Sequence, residues 1–155
     1  MKQYFFVILI LMGLNSCLTA GTHGLIKGYE YPVSKYVLGK VVFHVISNSP
    51  NINRDTAKDY YNDGESYITI EITKGEVLNR YTVHFYGDKV DWDTSKTSQI
   101  SISYAYDNDG NGGSEGNGGF PWYKSSLKKK LISIFESEFI NKIDKELRQN
   151  PIITE

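Results

Sequence analysis

The chain has 155 residues, of which 40% are hydrophobic, and its 17 basic and 18 acidic residues leave a formal net charge of −1. That length suits one domain able to bury a core, and a near-neutral charge gives no reason to expect nucleic acid as a partner. One cysteine, Cys17, excludes an internal disulfide, and three scattered histidines do not form a recognisable metal-ligand set.

The N-terminus has the pattern of a targeting segment. Lys2 supplies a positive start, and the run from Tyr4 to Leu14 is almost wholly apolar. A helix of about 11 residues would reach roughly 16 Å, against about 30 Å of membrane hydrocarbon, so the run is too short to span a bilayer. It predicts a cleaved signal peptide, with an ordinary secretory signal cut near Ser16 or Ala20 as one alternative.

The residues Leu14-Asn15-Ser16-Cys17 resemble a bacterial lipobox. The resemblance implies that signal peptidase II cleaves before Cys17, which then carries diacylglycerol and tethers the protein to the membrane. We therefore expect a signal peptide at 1–16, a lipidated, glycine-containing tether at 17–30 and one domain at 31–150. The implied location is the cell envelope, at the outer membrane and facing the periplasm or the surface.

The first element of the domain is predicted to be a helix over residues 33–47. Val33, Val37, Val41 and Val45 recur every four residues, Ser34 could cap the start, and Pro50 follows the end. The run is rich in β-branched residues, which disfavour helix, so a strand over 41–46 is the alternative.

Three segments then alternate with period two, which predicts an antiparallel meander. They cover residues 66–72, 80–86 and 99–106. The apolar face is predicted to carry the following side chains: Ile68, Ile70, Ile72, Tyr81, Val83, Phe85, Ile100, Ile102, Tyr104 and Tyr106. The opposite face is predicted to be wet, and it carries Tyr67, Thr69, Glu71, Thr82, His84 and Tyr86.

The last element is predicted to be a long helix over 124–148. Leu127, Leu131, Phe135, Phe139 and Ile143 recur every four residues, and Pro151 follows the end. We expect this apolar stripe to cover the apolar face of the sheet. The predicted fold is therefore a two-layer α+β domain, in which a three-stranded antiparallel meander packs against the C-terminal helix and an N-terminal helix.

The segment Asp107-Asn108-Asp109-Gly110-Asn111-Gly112 matches the first half of an EF-hand calcium loop. Asp107, Asp109, Asn111 and Glu115 are the candidate ligands. The bidentate carboxylate expected later in such a loop is missing, because Gly118 occupies its position. A flexible glycine-rich connection that binds no metal is the alternative, so calcium is the one candidate cofactor.

Four side chains are candidates for a binding surface: His84, Tyr86, Trp92 and Trp122. His84 and Tyr86 share the polar face of a predicted strand, and the tryptophans lie at loop junctions, where they could instead close the core. Lys124, Lys128, Lys129 and Lys130 begin the last predicted helix, which indicates a solvated face or contact with anionic headgroups.

No catalytic constellation is recognisable. We expect a lipid-anchored envelope protein that acts as a non-catalytic interaction module with a protein partner. An immunity-type inhibitor of a periplasmic toxin and a calcium-assisted envelope enzyme are the alternatives.

Overall fold

A computed structural model describes residues 26–59, 65–115 and 119–149 of the chain. These residues form one antiparallel sheet with helices packed on one face, which confirms the α+β class. The strands are β1 (Lys27–Tyr31), β2 (Ile52–Arg54), β3 (Tyr67–Lys74), β4 (Val77–Phe85), β5 (Ser98–Tyr106) and β6 (Gly112–Ser114). The helices are α1 (Lys35–Asn48), α2 (Lys89–Thr94), α3 (Ser125–Phe135) and α4 (Asn141–Gln149), with a π-helical segment (Glu136–Ile140) between α3 and α4.

The sheet has six strands rather than the predicted three. Its order is β1-β5-β4-β3-β2, with β6 also paired to β5, so the predicted meander β3-β4-β5 forms its centre. The strand β1 occupies residues that were assigned to the tether, so ordered structure begins before residue 31. Tyr29 and Tyr31 alternate with Gly28 and Glu30, a pattern typical of a strand. The neighbouring glycines instead favoured the prediction of a flexible tether.

A β-bulge in β5 makes part of the predicted face assignment wrong. Val83 pairs with Ile102, but Thr82 pairs with Tyr104, so Ser103 is the extra residue. Beyond it the alternation is reversed, and Ala105 pairs with the fully buried Tyr81. Tyr104 and Tyr106 therefore lie on the polar face, opposite Thr82 and Arg80, and not on the apolar face.

The first helix forms as predicted, and the strand alternative is wrong. The Oγ of Ser34 accepts a hydrogen bond from the Val37 N–H at 3.3 Å, which caps the helix start. Leu38, Val41 and Val42 are almost fully buried. Burial of this apolar face outweighs the weak helix propensity of the β-branched residues.

The C-terminal helix contains a π-helical segment that explains its unusual spacing. Apolar residues four apart drift by about 40° per step in an α-helix, so a long strict series would leave the core. Leu131, Phe135, Phe139 and Ile143 nevertheless all have no exposed surface. The wider π turn at Glu136–Ile140 takes up one more residue per turn and brings Phe139 and Ile143 back towards the sheet.

One core lies between the sheet and these helices. Phe135 and Phe139 belong to it together with Ile70, Phe85 and Ile102, as predicted. Tyr81 lies 5.0 Å from Phe135 between ring centroids and donates its hydroxyl to the carbonyl oxygen of Leu131 at 3.0 Å. Among the described residues, no helix is long and apolar enough to cross a membrane.

Candidate functional site

Three aromatic side chains form a row on the polar face of the sheet. The ring of His84 stacks on that of Tyr67, with centroids 4.1 Å apart and planes 5° apart. On its other side, the His84 ring lies 4.2 Å from the Tyr86 ring at an angle of 41°. The alternation in the sequence placed Tyr67, His84 and Tyr86 on this face, and the pairing of β3 with β4 brings Tyr67 directly beside His84.

The Tyr86 hydroxyl lies against the neighbouring strand. It accepts a hydrogen bond from the Oγ of Ser101 at 3.4 Å. Burial raises the pKa of the Tyr86 phenol, and the negative charge of Glu115 raises it further, while the Ser101 contact acts in the opposite direction. The phenol is therefore a neutral hydrogen-bonding group at neutral pH, suited to recognition rather than to proton abstraction.

The polar face continues beyond this row as a band of hydroxyl groups. Thr69 and Thr82 lie within 3.3 Å of each other at their side-chain oxygens, and both are buried. Tyr104 and Tyr106, turned to this face by the bulge, border a shallow cavity of about 260 Å³ above the two threonines. The long helices pack their apolar side chains into the core on the opposite face, whereas these aromatic rings remain partly exposed.

A larger cavity of about 640 Å³ opens where β4 ends and β5 begins. Tyr86 lines it and so connects it to the aromatic row. Two carboxylates, Glu30 and Asp91, lie at its wall together with the amide of Gln99. Its volume falls in the range of about 300–1,000 Å³ that is common for small-molecule sites.

The hydroxyl of Ser98 at the wall of this cavity is buried without a hydrogen-bond partner among the described residues. Ser98 lines the cavity and is 8% exposed, and its Oγ makes no hydrogen bond to any described residue. A buried hydroxyl without a partner carries a desolvation cost of about 1–3 kcal/mol, which a ligand or an ordered water could offset. The cavity thus offers a hydrogen-bonding hydroxyl to a ligand or to an ordered water.

A buried lysine at the wall of the cavity contacts a tryptophan. Lys35, the first residue of α1, is 3% exposed and donates its Nζ to the carbonyl oxygens of Phe85 at 3.1 Å and Gly87 at 3.0 Å. The same nitrogen lies 4.0 Å from the centroid of the Trp92 ring. Trp92 therefore holds the end of β4 to α1, and its ring is engaged with the protein itself. The sequence did not predict that Lys35 is buried at this cavity. The only indication in the sequence is a lysine at the start of an apolar helix.

The turn before Trp92 depends on Gly87 and Asp88. Gly87 has a φ of +97°, and a Cβ there would lie 3.0 Å from the Cβ of Asp91. The Asp88 carboxylate accepts from the backbone N–H groups of Val90 and Asp91, and the Asp91 carboxylate accepts from the Asp88 N–H. This capping box explains α2, which the sequence analysis did not predict.

The proposed calcium loop forms a backbone-closed turn between β5 and β6. The Oδ1 of Asp107 accepts from the N–H of Asp109 at 3.1 Å and of Asn111 at 2.8 Å. Within the described residues, no group of three or more histidine, cysteine or acidic side chains could hold a metal ion. Residue 118, where the missing ligand would stand, lies outside the described residues, so calcium binding stays a prediction.

Trp122 does not join the other candidate residues. It is 88% exposed and lies just before α3, so the alternative that it closes the core is wrong. His44 is exposed on α1 beside Glu146, at 3.4 Å, and His23 and Cys17 lie outside the described residues. The structure thus brings His84 and Tyr86 together, whereas Trp92 packs against Lys35.

Searches against family models, curated proteins and solved structures found no match for this chain.

Proposed function

We propose that this chain is a lipid-anchored protein of the bacterial cell envelope that acts as a non-catalytic binding module. The N-terminal pattern at Leu14–Cys17 supports the anchor, and the polar sheet face supports the binding role. The observation that carries the binding role is the aromatic row Tyr67–His84–Tyr86, which is partly exposed and borders a polar cavity. Aromatic rings with hydroxyl or imidazole groups give large contact area at low entropic cost.

The anchor is tested by replacing the acylated residue. Cys17→Ser should shift the protein from the membrane fraction to the soluble fraction or leave it unprocessed, and radiolabelled palmitate should label the wild type alone. Equal labelling of the wild type and the variant would refute the anchor and leave the binding role to be tested separately.

The binding role is tested by crosslinking in the intact cell. A photoreactive amino acid at position 67 should capture a partner, and the additional change His84→Ala should reduce that capture at least tenfold. The matched control is the same experiment with Tyr36→Ala, since Tyr36 is 57% exposed on α1, a helix of the other layer. If both changes reduce capture equally, or neither does, the sheet face is not the binding surface.

The same experiment separates the alternatives. A captured toxin would indicate an immunity-type inhibitor, and another envelope protein would indicate a structural or assembly role. Both outcomes retain the sheet face as the binding surface.

A further inference from the structure

An aromatic pair is exposed where the chain leaves the sheet and enters α3. Trp122 is 88% exposed and Tyr123 is 67% exposed, and their rings meet edge to face with centroids 5.8 Å apart. Neither ring contributes to the core. Indole and phenol rings are amphipathic and are enriched where a protein meets the headgroup region of a membrane.

A cluster of lysines accompanies this aromatic pair. The sequence from Gly119 to Phe135 contains four lysines and no acidic residue. They are Lys124, Lys128, Lys129 and Lys130. In the described part of the chain none of the four forms an ion pair, whereas Lys27 and Lys74 bind Glu136 and Glu138. No described acidic residue therefore neutralises their charge, which is complementary to an anionic surface.

The N-terminal tether would enter the described structure close to β6 and α3. The strands β1 and β6 pair with the same edge of β5, end to end: Lys27 lies opposite Ile102, and Ser114 lies opposite Tyr104. The chain therefore enters the described structure at Ile26, about two residues of β5 away from the end of β6. The helix α3 contacts β6, and Trp122 stands three residues before α3 begins.

We infer that Trp122, Tyr123 and the four lysines form a surface that docks on an anionic lipid bilayer. The inference rests on the proposed lipid anchor, because nine residues from Cys17 to residue 25 reach at most about 30 Å and hold this end of the domain near the membrane. The aromatic rings enter the headgroup region, and the lysines bind anionic headgroups.

The docking surface also determines which layer faces the lipid. The acidic turn with Asp107 and Asp109 lies at the same end, but it belongs to the sheet, whereas the lysines belong to the helical layer. Anionic headgroups repel the first and attract the second. The helical layer of the domain therefore contacts the membrane. The polar sheet face, with Tyr67, His84 and Tyr86, points away from it.

The test uses the purified lipidated protein in vesicles of phosphatidylcholine, with and without about one third phosphatidylglycerol. Amine acetylation followed by mass spectrometry reports each lysine. We expect Lys128, Lys129 and Lys130 to react at least about fivefold more slowly in anionic vesicles, and the protection to vanish at about 0.5 M salt. Lys96, exposed near the opposite end of β5, is the matched control and should react equally in both. Equal reaction of the three lysines in both vesicles would overturn the inference.

A second measurement concerns the aromatic pair and does not depend on lysine chemistry. Lipids brominated on the acyl chain should quench tryptophan emission in the wild type, and Trp122→Phe should remove that quenching while Trp92 still emits. Quenching unchanged in Trp122→Phe would refute the aromatic contact.

A third measurement applies if palmitate labelling shows no anchor. The unlipidated full chain should then sediment with anionic vesicles, and Trp122→Phe should weaken this binding. Absence of sedimentation would refute docking. These results distinguish failure of docking from failure of the anchor.

Discussion

The ring of His84 lies parallel to the ring of Tyr67, with centroids 4.1 Å apart, across the pairing of β3 with β4. Cross-strand aromatic pairs contribute about 0.5–1.5 kcal/mol beyond the area that they bury. This contact is small beside the core on the other face of the same strands. The row can therefore be altered without unfolding the domain, which makes the binding experiments interpretable.

A double-mutant cycle measures this pair. We expect Tyr67→Ala and His84→Ala each to lower the free energy of unfolding by about 1 kcal/mol, and the double variant to lose about 0.5–1 kcal/mol less than the sum. Urea denaturation supplies the values. Strict additivity would show that the stacked rings do not interact in solution.

A substitution in the core should lower the free energy of unfolding much more. Phe135 has no exposed surface and contacts both Tyr81 and Phe139, so Phe135→Ala should cost about 3–5 kcal/mol. Phe43→Ala is the matched control, because Phe43 is 40% exposed on α1, and it should cost less than about 1 kcal/mol. A loss below about 0.5 kcal/mol for Phe135→Ala would contradict the two-layer packing.

Lys35 lines the candidate site, but we expect it to contribute mainly to the free energy of unfolding. Lys35→Met removes the charged donor from the carbonyl oxygens of Phe85 and Gly87 and the contact with Trp92, so we expect a loss of about 2–4 kcal/mol and altered Trp92 fluorescence. Lys40→Met, on the same helix but exposed, should change stability by less than about 1 kcal/mol. Similar losses for both variants would show that the Lys35 contacts contribute little.

Glu138 makes stability depend on pH in the acidic range. Burial acts to raise the pKa of this carboxyl, but hydrogen bonds from Lys74, Asn51 and Ser137 and the charge of Lys74 outweigh burial and hold it below its usual 4.5. A folded-state pKa below the unfolded value stabilises the fold at higher pH, and this contribution is lost as the pH falls through the folded value.

The matching experiment compares Glu138→Gln with the wild type in urea between pH 7 and pH 3. The variant should be less stable by up to about 1 kcal/mol at pH 7, and the difference should shrink as the pH drops below about 4.5. Glu76→Gln, a change at an exposed hairpin residue, is the control. A difference that stays constant with pH would rule out this linkage.

Calcium should have at most a weak affinity for the turn at 107–112. The Asp107 carboxylate already accepts two backbone N–H groups, and Gly118 supplies no ligand, so we expect no shift in melting temperature at about 1 mM calcium and a small one at most near 10 mM. A shift of several degrees near 0.1 mM, lost in Asp109→Ala, would place calcium in the function.

The sequence by itself determined the elements with strong periodicity. The four-residue spacing from Leu131 to Ile143 and the alternation of Ile68, Ile70 and Ile72 each follow from burying one face of a helix or strand, so the main elements and most of the core could be predicted. His84 and Tyr86 were placed on the polar face by the same alternation.

Only the tertiary structure decided which segments pair and where alternation fails. The strand β1 forms because its backbone groups find partners on β5, and the bulge at Ser103 turns Tyr104 and Tyr106 to the polar face. The contacts of Lys35 with Gly87 and of Tyr67 with His84 join residues 52 and 17 positions apart. Local spacing carries no record of such contacts, because they depend on strand register and on how the helices pack.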